Sequence, residues 1–331
     1  MNKQILTNKL KCWIALDANK LPDFIIGGAM KCGTTSLHTI LNSHPNVFIP
    51  HEEIHFFNID DILQHGDYTF YDKSRKTWTF QDMQKDPSRM WNWYLSKFDD
   101  CGPRLKGEDS TTYLASRIAA ERIAIQPKPI KLIFMLRQPT QRAYSQYYHD
   151  LRDCRATHSF EETIRFNPQS LLSRGLYKEQ LEFWYKVLPR EQIKVVLFED
   201  FIADKLNVLK DICQYLEINF DTFDEEIVHT HSNKGKIPKW IDLQIVYNQW
   251  FREIGNRNSF ESLPFYPDRY SGKLPLGLRV LNKLNNVVNR KQDKPPRIDA
   301  STRAFLDRFY KREMSGIDEL VMQPIFEKWF D

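Results

Sequence analysis

Apolar residues along the chain fall into short runs rich in β-branched and aromatic side chains. Each run is followed by a turn signal and then by a stretch with helical periodicity. Phe24 to Ile26, in PDFIIGG, reads as a buried strand; a glycine-bearing loop follows, and Thr34 to Leu41 predicts a helix closed before Pro45. The rhythm repeats at IKLIFMLR (Ile130 to Arg137), with QRAYSQYYHDLRD as the helix after Pro139, and at IKVVLFED (Ile193 to Asp200), with FIADKLNVLKDICQYLEI as its helix. Between them SRGLYKEQLEFWYKVL predicts an amphipathic helix carrying Leu176, Leu181, Trp184, Tyr185 and Leu188 on one side. Strands alternating with helices predict an α/β fold with a central parallel β-sheet flanked by helices, one domain over residues 1–331. Residues 58–105 and 217–297 break the rhythm and read as variable insertions, and helical periodicity returns from Ser301.

Composition narrows the class without naming it. The 331 residues hold 47 Lys+Arg against 43 Asp+Glu, a net +4, with 41% hydrophobic residues, enough for a large core and too balanced for a nucleic-acid-binding stripe. The 22 Phe, 14 Tyr and 8 Trp could line an apolar pocket, although such residues more often build the core. Five scattered cysteines, with no CxxC pair and no zinc spacing, read as free thiols of a reducing compartment. No run approaches the roughly 18 apolar residues of a membrane span, and the first residues lack a signal-peptide core. The expectation is a soluble, cytoplasmic chain.

Glycine is scarce, 12 in all, yet Gly27, Gly28 and Gly33 gather in GGAMKCGTTS between the first strand and its helix. A loop of this kind presents backbone N–H groups and the positive end of a helix to an anion. It is not the ATP-binding P-loop, because Thr34 stands where the Gly-Lys-Ser/Thr pattern requires lysine, and the lysine, Lys31, lies inside the loop. Thr34, Thr35 and Ser36 are then free to hold phosphate oxygens, and no metal is required. The plainer reading is a glycine turn with a helix cap from Thr34 or Thr35. A second motif, LRQPTQRAYSQY, puts Arg137 at a strand's C-terminal end and Ser145 eight residues on, suited to bidentate and hydroxyl contacts with another phosphate.

Together these two motifs resemble the sulfotransferases that use 3′-phosphoadenosine 5′-phosphosulfate (PAPS). The resemblance implies a single P-loop-like domain in which Lys31, Cys32, Gly33, Thr34, Thr35 and Ser36 hold the 5′-phosphosulfate and Arg137 and Ser145 the 3′-phosphate. Tyr177 and the late segment Lys234, Gly235 and Lys236 are implied as further nucleotide contacts. HPNVFIPHEEIHFFN is similar to the glycosaminoglycan-type sulfotransferases and their bacterial relatives, implying Glu53 as general base, His55 beside it as orienting group or base, and Lys31 as the group that stabilises the leaving oxygen. Two departures stand out. Asn58 occupies the place of an Asp after Phe-Phe, and Asp109 that of a lysine in GEDSTTYL, which would make a densely anionic acceptor less comfortable.

The implied activity is sulfuryl transfer from PAPS to a hydroxyl or amine of a small-molecule acceptor, with a polyketide or alkaloid as the first reading and a glycan or glycolipid as the alternative. No nucleic-acid partner is implied. Two other classes compete, a P-loop small-molecule kinase and an inactive nucleotide-binding module. Dependence on ATP and Mg²⁺ marks the kinase; PAPS-dependent turnover that survives EDTA is the outcome expected here.

Overall fold

The computed structural model describes residues 10–223, 236–255, 263–266 and 276–330. Five parallel strands form the central sheet: β1 (Phe24–Gly28), β2 (Val47–Phe48), β5 (Leu105–Asp109), β6 (Lys131–Leu136) and β7 (Ile193–Leu197), in the order β2-β5-β1-β6-β7. A hairpin, β3 (Phe70–Asp72) with β4 (Thr77–Thr79), and a small antiparallel pair, β8 (Lys236–Pro238) with β9 (Arg290–Gln292), stand apart from it. The helices that matter below are α1 (Thr34–Asn42), α2 (Pro87–Ser96), α3 (Arg117–Ala124), α4 (Pro139–Arg152), α5 (Tyr177–Val187), α6 (Phe198–Ala203) and α7 (Lys205–Leu216). Among the described residues no helix is long and apolar enough to cross a membrane.

Every residue of β1 is buried, as expected of a strand covered on both faces. Phe24 pairs with Gly107 on one side and Lys131 on the other, so β1 sits where the order of connection reverses. In open α/β sheets that reversal opens a crevice beyond the strands' carboxyl ends. β5, LKGED, has no apolar run to betray it. It is a central strand nonetheless, because at Gly107 a Cβ would come 2.4 Å from the Phe24 ring, so only glycine lets β1 and β5 approach at that point.

Three predicted boundaries move. The strand foreseen to Asp200 ends at Leu197, where α6 begins. The long helix after it is two, α6 and α7, broken at Asp204, whose carboxylate caps the Asn207 N–H at 3.3 Å. The helix foreseen from Ser173 opens with a 3₁₀ turn, and its α-helical part starts at Tyr177. The aromatic residues go largely to the core: Trp184 is 1% exposed, packs edge-on against Phe134 at 5.0 Å and donates its indole N–H to the Leu114 carbonyl at 3.0 Å. Trp184→Ala is expected to cost about 3–5 kcal/mol in denaturant unfolding, whereas a surface change such as Phe166→Ala should leave the midpoint nearly unmoved.

Candidate active site

The β1–α1 loop depends on backbone that side chains cannot follow. Gly28 has φ +135° and a Cβ there would lie 2.7 Å from the Thr111 carbonyl oxygen; Gly33 has φ +90° and a Cβ there would lie 2.7 Å from the Phe198 ring. Lys31 also adopts a left-handed φ of 68°. Gly33 is the N-cap of α1 and no side chain caps the helix, so the cap expected from Thr34 or Thr35 is not formed. The helix start therefore keeps its positive end for an outside anion. Cys32 is fully buried, its thiol pushed up to about 11 by desolvation, so any contact it makes with a ligand is through its backbone.

Arg137 follows β6 directly and meets this loop from the neighbouring strand. Its guanidinium lies 4.8 Å above the Phe198 ring and donates to the Lys31 carbonyl at 3.4 Å. Tyr177, fully buried at the start of α5, donates its hydroxyl to the Arg137 carbonyl at 3.0 Å and touches Cys32 Sγ at 3.6 Å. With no exposed ring it ties the two loops from behind. Burial lowers the pKa of both Lys31, where Arg152 adds to the effect, and Arg137. Among the described residues neither cation forms an ion pair with a carboxylate. Two partly desolvated cations beside an uncapped helix start fit an anionic ligand with two phosphate ends, and PAPS is such a ligand.

Other predicted ligands lie on other elements. Ser145 is half-buried two turns along α4. Lys236 is exposed on β8, its backbone opposite Gln292, and among the described residues makes no hydrogen bond or ion pair with the loop or with Arg137. Lys234 and Gly235 lie outside the described residues.

The second half of the site hangs on a buried carboxylate. Glu108, fully buried on β5, accepts from Tyr94 at 2.6 Å, Tyr113 at 2.6 Å and Ser110 at 2.7 Å. Ser110 Oγ in turn accepts the His55 N–H at 2.8 Å, and Tyr113 Oη the Phe57 N–H at 2.9 Å, which holds His55 at its left-handed φ of 55°. Glu53 then reaches His55 Nε2 at 3.1 Å through Oε2, the same oxygen that accepts Thr111 Oγ1 at 2.6 Å. Desolvation pushes the Glu53 carboxyl up, but His55, Thr111 and the Lys31 charge outweigh it and hold it at about 2. It is ionised throughout the neutral range and able to accept a proton.

Glu53 and His55 line a cleft of about 590 Å³ together with His65, Tyr68, Arg155 and Arg174. Its walls mix these charged and polar groups, and the acids Glu52 and Asp67, with Met30, Ile54, Trp93 and Leu263. Arg174, pushed down to about 10 by burial and by Arg142, contacts Met30 Sδ and the Gln64 carbonyl at 3.2 Å, and among the described residues pairs with no carboxylate. Asp109 is not part of this wall. It is 3% exposed and pairs with His38 Nδ1 at 3.1 Å. A groove of similar size, about 610 Å³, under the β3–β4 hairpin contains none of the predicted residues.

Thr111, Arg174 and the Glu108 cluster were not singled out in the sequence. The available signal was position: residues 110–112 follow a β-strand end beside the phosphate loop.

The pattern of the Sulfotransferase family matches residues 22–222, and the chain belongs to that family. It is 29% identical over 211 residues to human heparan sulfate glucosamine 3-O-sulfotransferase 5, covering 60% of this chain and 54% of that enzyme. With the bifunctional heparan sulfate N-deacetylase/N-sulfotransferase of Drosophila melanogaster it shares 26% over 223 residues, 61% of this chain and 20% of that protein. The chain thus spans about half or less of the length of these relatives. The crystal structure of a sulfotransferase from Alicyclobacillus acidocaldarius superposes with a TM-score of 0.58 at 23% identity, over 93% of this chain and 98% of that one, and shares the fold.

Desolvation raises the Asp109 carboxyl from 3.8 to about 6 against the opposing pull of His38. The folded chain therefore holds this proton more tightly than the unfolded chain does. The stabilisation is complete below 3.8 and is lost as pH rises through about 6. Asp109→Asn should flatten that part of the stability profile, a change on the order of 3 kcal/mol between acid and neutral pH in denaturant titrations.

Proposed function

We propose that the chain transfers the sulfuryl group of PAPS to a hydroxyl of a polar, acid-bearing acceptor of the sugar type. The observation that carries this reading is the meeting of Glu53, ionised and facing a charged cleft, with the Lys31 end of an anion cradle. PAPS when bound supplies an activated sulfuryl group and a phosphate leaving oxygen. Lys31, Gly33 and the start of α1 would hold its 5′ side and Arg137 its 3′ side, with Ser145 assigned to the same phosphate. Glu53 takes the acceptor's hydroxyl proton, and Lys31 acts on k_cat to the extent that it meets more charge in the transition state than before it.

The acceptor reading turns from the apolar natural product to the glycan alternative because of two residues. Asp109, which argued against an anionic acceptor, is buried against His38, while Arg174 offers the cleft a cation from another element. The heparan sulfate enzymes among the relatives support the same direction.

Incubation with PAPS and a panel of acceptors, read by mass spectrometry for the gain of one sulfo group, should rank acidic oligosaccharides above neutral ones and both above apolar alcohols. Turnover confined to apolar alcohols would overturn the acceptor reading. Glu53→Gln should lower k_cat by about 10²–10⁴ while calorimetry with adenosine 3′,5′-bisphosphate shows unchanged binding. Arg137→Ala should do the reverse, weakening that binding by roughly tenfold or more. Retained turnover in a folded Glu53→Gln variant would remove Glu53 as the base.

A further inference from the structure

Behind His55 lies a chain of buried polar groups that the activity above does not use. His65 Nε2 is 3.0 Å from Asn58 Oδ1 and 3.1 Å from Thr112 Oγ1, Asn58 Nδ2 donates to Thr112 Oγ1 at 3.0 Å, and Thr112 Oγ1 is 3.0 Å from His55 Nδ1. Asn58 is 0% exposed, Thr112 3%, His65 5% and His55 7%, so these groups, three of which line the cleft, take most of their hydrogen bonds from one another.

The directions of these bonds follow from a count of protons. Burial, together with the charges of Arg174 and Arg155, holds the pKa of His65 well below its ordinary value, so it is neutral at neutral pH. A carbonyl oxygen accepts only, so the single ring proton of His65 sits on Nε2. The Asn58 oxygen is then engaged, and its amide nitrogen donates to Thr112. Thr112 has one hydroxyl proton and two acceptors in view, His55 Nδ1 at 3.0 Å and the engaged Asn58 oxygen at 3.4 Å; the proton goes to His55.

We infer that His65, Asn58 and Thr112 form a one-way hydrogen-bond relay that fixes His55 as its Nε2–H tautomer, donating to Glu53. His55 is then a positioning residue. Its Nε2 proton and the Thr111 hydroxyl both engage Glu53 Oε2, leaving Oε1 for the acceptor. The charged groups around the pair are Lys31, which lowers the pKa of Glu53, and the buried acids Glu108 and Asp109, whose carboxyls desolvation raises. The polarity rests on the amide of Asn58. A carboxylate there would accept at both ends, draw the Thr112 proton away from His55 and favour the protonated form of both imidazoles. The catalytic consequence rests on the reading of Glu53 as proton acceptor; the tautomer does not.

The test is long-range ¹H–¹⁵N correlation on the full chain with ¹⁵N-labelled histidine, with His55 assigned by His55→Gln. The expected spectrum shows a bare Nδ1 and a protonated Nε2 at His55. Thr112→Val should abolish that preference and lower k_cat roughly tenfold, the value of one hydrogen bond, with both K_M values within about twofold. Thr112→Ser should restore both readouts. Asn58→Asp, which keeps the shape of the site if Thr112→Val does not fold, should add a histidine ionisation near neutral pH to the spectra and the rate profile. A proton on His55 Nδ1 in the unmodified chain, or a Thr112→Val spectrum unchanged at His55, would overturn the relay. If Glu53→Gln keeps full turnover while the tautomer is as inferred, the base assignment fails and the relay stands.

Discussion

The site depends on a backbone approach that only a missing Cβ permits. At Gly28 and Gly33 the chain turns at positive φ while pressed against the Thr111 carbonyl and the Phe198 ring, and any side chain at either position would push the loop off the sheet. The same contact surfaces belong to the elements that carry chemistry. Thr111 also binds Glu53, and Phe198 lies under Arg137. Closing the loop therefore sets the distance between the anion cradle and the carboxylate, and a change at either glycine would loosen both at once.

Electrostatics adds a second layer. Burying cations without protein carboxylates is costly, and the lowered pKa values of Lys31 and Arg137 express that cost. An anionic ligand that paired with both would relieve it. Glu53 is the opposite case. It is only partly desolvated and strongly ionised, because His55, Thr111 and Lys31 together outweigh the loss of water. Its side chain stays 41% exposed toward the cleft, so the proton it is suited to accept has a route in.

Beneath the site, Glu108 plays a structural part that its charge alone would not suggest. Three hydroxyls satisfy it, and two of those groups carry the strained turn at His55. A buried acid so used trades desolvation for rigidity, and the rigidity is passed to the turn that carries His55 beside Glu53.

Much of this was legible along the chain. The strand, loop and helix around Lys31 and the strand that precedes Arg137 are local patterns, because backbone conformation and helix starts are set by neighbours a few residues away; Glu53 and His55 stood out only through the family resemblance. β5 was not legible: with Lys106, Glu108 and Asp109 among its five residues it has no apolar run, and it is a strand only because β1 and β2 flank it. Nor could the sequence reveal that Asp109 is buried beside His38, or that Arg174 faces the cleft that holds Glu53. Those facts join residues 71 and 121 positions apart, and burial and charge are sums over neighbours that only the folded sheet edge brings together.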